Sequence, residues 1–140
     1  VLRGLSDADH VWKITGRYII KNIQYFFRFS PKDFELYVNV NKKKAWVSME
    51  VIAWSLHGYN LFVKNLWREF EGAMPPEILF YKKLQELKFK SSKIVKSYYF
   101  PPNIYGTRGS DGSPFRGRLG GIRYKLDVLV KLLLLPLKLH

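Results

Sequence analysis

The chain has 140 residues, enough for one domain, and its 24 lysines and arginines against 11 aspartates and glutamates give a formal net charge of +13. That excess points to a polyanionic partner, either nucleic acid or the anionic face of a membrane. With no cysteine, disulfides, thiolate catalysis and cysteine zinc sites are excluded.

In chain order, Ser6 followed by Asp9 has the form of a helix N-cap with an acid in the first turn. An amphipathic helix is predicted over 8–29, carrying Val11, Trp12, Ile14, Tyr18, Ile19, Ile23, Phe26 and Phe27. Its apolar residues cover more than half the circumference, so it must pack on something extensive or lie at a membrane surface. Asp7, Asp9 and several cations interrupt any apolar run here, so no secretory signal is read in the first thirty residues. Ser30 and Pro31 end the helix, because the residue before a proline is pushed out of the helical region. The alternation Tyr37, Val38, Asn39, Val40 suits a short strand or an extended lead-in; the lead-in is preferred, because a lone short strand has nothing to pair with.

The stretch 42–68 is the one around which the chain is expected to be organised. Thirteen of the nineteen residues between Lys44 and Lys64 are apolar or aromatic, and Glu50 and His57 are their only titratable groups. A helix over 45–67 would place Trp46 and Trp67 roughly 31 Å apart, close to the hydrocarbon thickness of a bilayer, with indoles at both interfaces and cations beyond them. Lys43, Glu50, His57 and Lys64 recur every seven residues as one polar stripe, so a spanning helix would carry Glu50 and His57 as intramembrane polar contacts against partner subunits. Ser48, Ser55 and Gly58 would let neighbouring helices approach. The same stripe also suits the central helix of a small soluble domain, and the residues alone leave both readings standing.

After Pro75 and Pro76 a basic amphipathic helix is predicted over 77–98, with Phe80, Leu84, Leu87, Ile94 and Tyr98 on its apolar stripe. The segment 99–125 is read as extended: six glycines and three prolines between Phe100 and Gly121 preclude a continuous helix, and Arg108, Arg116, Arg118 and Arg123 suit threading through ribosomal RNA. The apolar tail 126–140 is too short to span a bilayer and should lie in an interface or a partner's groove. With the spanning reading of 45–67, the fold class expected is mainly α: one transmembrane helix, flanking amphipathic helices and an extended Gly/Pro/Arg-rich segment, a single unit with no independent globular core.

No enzyme constellation emerges, and no cofactor or metal is expected. Histidines stand only at 10, 57 and 140, without metal-ligand spacing, and the glycine-rich stretch lacks the Gly-Lys-Ser or Gly-Lys-Thr of a phosphate-binding loop. Glu50 and His57 suit a proton relay in a hydrated cavity or, more simply, a structural pairing.

Residues 25–71, with the aromatic and basic run YFFRF, the tyrosine leading into YVNVNKK and then the apolar stretch ending in aromatics and charges, resemble subunit f of the mitochondrial ATP synthase membrane region. The match covers about a third of the chain. It implies a non-catalytic subunit of the mitochondrial inner membrane, bracing the stator among other subunits of the complex. Lys42, Lys43, Lys44, Lys64 and Arg68 would then meet anionic lipid, cardiolipin in that membrane, with Trp46 and Trp67 at the interfaces. Two other readings stand beside it: a mitochondrial ribosomal protein binding rRNA through basic extensions, and a peripheral scaffold subunit of a respiratory complex.

Overall fold

A computed structural model of the protein describes residues 4, 6, 9–16, 18–64, 66–71, 74–87, 93–107, 112, 114, 125, 126, 129, 130 and 133. The chain divides into two compact units, one of Val1–Thr15 and Lys32–Ser97, the other of Gly16–Pro31 and Tyr98–His140.

The first unit is built on a four-stranded sheet. It contains β1 (His10–Ile14), β3 (Leu36–Tyr37), β6 (Val51–Ser55) and β7 (Ile94–Val95), in the order β1-β6-β3-β7. Strand β2 (Tyr18–Ile20) belongs to the second unit. β6 pairs antiparallel with β1, from His10↔Ser55 to Ile14↔Val51, and on its other side with β3 through Leu36↔Trp54 and Tyr37↔Ala53. β3 then pairs in parallel with β7, Leu36↔Ile94 and Tyr37↔Val95. A hairpin of β4 (Val40–Asn41) and β5 (Trp46–Val47) projects between β3 and β6 in the chain, with Val40↔Val47 and Asn41↔Trp46 in register.

Beyond β6 the chain turns through a single helical turn, α2 (Leu56–Gly58), and a π-helix over Tyr59–Val63, closed by the Lys64 N–H donating to the Tyr59 carbonyl at 2.9 Å. A 3-10 helix over Leu66–Glu71 follows, and then the longest helix, α3 (Pro76–Leu87). Pro76 sits at the first helical position, where its missing N–H costs nothing and its fixed φ favours the helix. α3 buries Phe80 and Leu84 in a core with Leu36, Val38, Val47, Ile52, Phe62 and Leu66.

In the second unit β2 pairs antiparallel with β8 (Ile104–Gly106), and Asn22 ties the loop beside them: its Nδ2 donates to the Pro101 carbonyl at 3.0 Å and its Oδ1 accepts from the Asn103 N–H at 2.6 Å. The helix α1 (Ile23–Arg28) sets Phe26, fully buried, edge-on to Tyr98 with ring centroids 5.1 Å apart.

The fold is thus mixed α/β, and the mainly-α expectation is corrected. No helix among the described residues is long and apolar enough to cross a membrane. The stretch 45–67 is broken into β5, β6 and three short helical turns. The reason is that β6 is an interior strand: Val51, Ile52, Ala53 and Ser55 are all buried. Strands covered on both faces read as continuous apolar runs, and such a run has no period to distinguish it from a buried helix. Of the expected helix over 8–29 only six residues near its end are helical, α1; Gly16 interrupts it, and the β-branched Val11, Ile14, Ile19 and Ile20 fall in β1 and β2. Ser6 and Asp9 cap no helix: the Ser6 N–H donates to Asp9 Oδ2 at 2.7 Å, and the chain leads into strand β1. The preferred lead-in over Leu36–Asn41 is two paired strands, because β6, β7 and β5 supply the partners. The helix expected over 77–98 runs over Pro76–Leu87, and Ile94–Val95 adds to the sheet instead. A buried core in the first unit replaces the expected absence of one.

Candidate functional site

Lys42, Lys43 and Lys44 are brought together as a 3-10 turn at the tip of the β4–β5 hairpin, and all three are exposed. Two hydrogen bonds close the turn. The Asn41 Oδ1 accepts from the Lys44 N–H at 3.2 Å, and the Ala45 N–H donates to the Lys42 carbonyl at 3.3 Å. Ala45 closes the turn in the left-handed region, φ 50°, an uncommon conformation for a residue with a Cβ. Three ammonium groups with no acid in the turn make a compact cationic point.

The other residues marked in the sequence lie on separate elements. Trp46 is half-buried on β5, opposite Asn41; Lys64 is exposed at the end of the π-helix; Arg68 is exposed on the following 3-10 helix. The backbone of Trp67 lies in that 3-10 helix, while its side chain is outside the described residues, as are Arg108, Arg116, Arg118 and Arg123. Trp46 and Trp67 are therefore not the two ends of one helix, and Lys43, Glu50, His57 and Lys64 do not form a stripe.

Glu50 and His57 are separated by β6 and have different neighbours. The Glu50 carbonyl accepts from the Thr15 N–H at 3.0 Å. Burial pushes its carboxyl above the ordinary value of 4.5; a hydrogen bond from its own backbone opposes that, Glu77 adds to it and Lys13 works against it. His57 instead meets Glu35, Nδ1 to Oε1 at 2.9 Å. This pair lies in an open polar cleft of about 560 Å³ lined also by His10, Asp33, Ser55 and Lys93. His10 stacks on Phe34, centroids 4.0 Å apart, with its Nε2 3.1 Å from the Phe34 carbonyl. Glu35 Oε2 is buried without a hydrogen-bond partner.

The cleft is built by close backbone approach. The Ser55 N–H donates to the Glu35 carbonyl at 3.1 Å, and the Ser55 Oγ caps α2 by accepting from the Gly58 N–H at 3.0 Å. A Cβ on Gly58 would lie 1.8 Å from the Glu35 carbonyl oxygen, so only glycine lets the turn dock there. Ser55 and Gly58, expected to ease helix packing, instead fasten a turn onto a strand. Chemically, Glu35 orients the His57 ring, whose side chain is 62% exposed. Ser55 is the hydroxyl in the cleft, and its oxygen is engaged in capping. Among the described residues no group of three or more His, Asp or Glu side chains is placed to hold a metal ion.

Comparison with known protein families, curated proteins and solved structures finds no match to this chain. Glu35, His10 and Trp54 were not singled out by the sequence; for Glu35 the available signal is a lone acid inside the apolar run FELYV.

Proposed function

We propose that the protein is a non-catalytic RNA-binding component of a ribonucleoprotein, the mitochondrial ribosome being the assembly named by the sequence reading. Its lysine-tipped hairpin contacts the phosphate backbone. The observation that carries this reading is the exposed Lys42–Lys44 turn on a chain of net charge +13. A cluster of ammonium groups carried on a folded turn gains from counterion release, and its backbone is already folded before binding. The arginines of the glycine-rich segment extend the same electrostatic logic in sequence.

The resemblance to an ATP synthase membrane subunit drew its implication from a spanning helix over 45–67, and two strands and three short helical turns occupy that stretch. That reading is not carried forward. Cardiolipin contact by the same lysines survives only as a surface interaction, and the test separates it. Binding of the full chain to a structured ribosomal RNA fragment is measured across a salt series. The combined Lys42→Ala, Lys43→Ala, Lys44→Ala variant should flatten the slope of log affinity against log salt by about two to three units. An unchanged slope, or tighter binding to cardiolipin vesicles than to RNA, overturns the reading.

A further inference from the structure

The first unit contains a second concavity of opposite character, a pocket of about 260 Å³ lined by Met49, Ile52, Trp54, Tyr59, Val63, Leu66 and Phe80, with Lys13 and Lys64 also on its wall. We propose that this pocket binds a single-chain aliphatic carboxylate of about eight carbons, with its tail against the apolar wall and its carboxylate at Lys64. The inference is independent of RNA binding.

Three observations carry it. The first is size: an apolar cavity of about 150 Å³ takes one benzene, so in proportion one of 260 Å³ takes roughly ten heavy atoms, the number in octanoate. The second is polarity. The wall is made of aliphatic side chains and aromatic rings, and Lys13 and Lys64 are the charged groups on it, a lining that suits an aliphatic tail joined to an anion. The third is charge placed beside oil. Lys64 is exposed yet lines the pocket, so its ammonium meets water while its stem borders the apolar wall. Lys13 adds positive charge from the sheet, with its Nζ already donating to the Met49 carbonyl at 2.7 Å and to Thr15 Oγ1 at 3.1 Å. A neutral ligand would use the wall and leave Lys64 idle; an anion uses both.

The pocket owes its form to an uncommon backbone. The π-helix Tyr59–Val63 sets Tyr59 and Val63 into the wall and delivers Lys64 next in sequence. Such widened turns occur most often at functional sites.

The test is a titration of the full chain with sodium octanoate, read by the Trp54 indole N–H resonance, which Trp54→Phe assigns by its loss. The proposal expects a saturable shift below the micellar range. It expects Lys64→Met to weaken octanoate roughly fivefold to tenfold while leaving octan-1-ol unchanged. Lys64 is exposed, so this variant should fold; Val63→Phe, which fills the pocket, should abolish binding of both ligands. No saturable shift, equal affinity for octanoate and octan-1-ol, or full octanoate binding by Lys64→Met overturns it.

Discussion

The two concavities of the first unit lie on opposite faces of one strand. Ile52 and Trp54 of β6, with Lys13 opposite Ile52 in register, line the apolar pocket; Ser55, with His10 opposite it, lines the polar cleft. Successive side chains of a strand point to opposite faces, so a single residue step changes an aliphatic environment into a polar one. Leu36 and Val38 share the face of Ile52 and pack beneath Phe80 and Leu84 of α3. Tyr37 lies on the other face with Trp12, their rings edge to face at 5.7 Å. One face is filled by interdigitating aliphatic and phenyl groups from a helix, the other by stacked rings and a turn fastened by backbone hydrogen bonds. The first face should therefore respond to lost volume and the second to added volume.

The largest effect belongs to the helix-covered face. Phe80→Ala removes a ring that is 1% exposed and leaves a cavity beneath α3, which should cost about 3 to 5 kcal/mol in chemical denaturation. A loss below about 1 kcal/mol would mean that α3 does not seal this face.

On the opposite face the sensitive position is glycine. Gly58→Ala drives a Cβ into the Glu35 backbone, so α2 must lift from β3, at a cost of about 1 to 3 kcal/mol. The same variant should weaken the His57–Glu35 contact, visible as a change in the His57 ring resonances. Unaltered stability and resonances would show that the turn does not dock on Glu35.

How far these features could be read from the sequence depends on what fixes each one. Local signals held: Pro75 and Pro76 start α3, and Ser30 and Pro31 follow the end of α1. Pairing was hidden, because β3 and β7 contribute only two residues each to the sheet, and their partners lie 16 to 58 positions away. Trp46 and Trp67 suggested one helix because their spacing matches a bilayer, yet Ala45 in the left-handed region and the break after Val47 belong to a hairpin. Within the candidate site, the lysine run was legible as charge, while its folding into a turn capped by Asn41 was not. The partner of His57 could not be read either: Glu35 reaches it only because β3 and β6 are neighbours.

Glu50 gives the smallest effect and the sharpest sign. It precedes β6 and is half-buried, and burial raises its carboxyl pKa above 4.5. A carboxyl with a raised folded-state pKa stabilises the fold fully below its unfolded value, and that contribution is lost as pH rises through the folded value. Glu50→Gln keeps the shape of the protonated acid and cannot ionise. It should therefore match the wild type in stability below pH 4.5 and exceed it at neutral pH, the gap opening as Glu50 titrates. Denaturation midpoints of both proteins between pH 4 and 8 test this. A Gln variant less stable at neutral pH would reverse the assignment, making attraction to Lys13 stronger than desolvation and Glu50 a paired charge like Glu35.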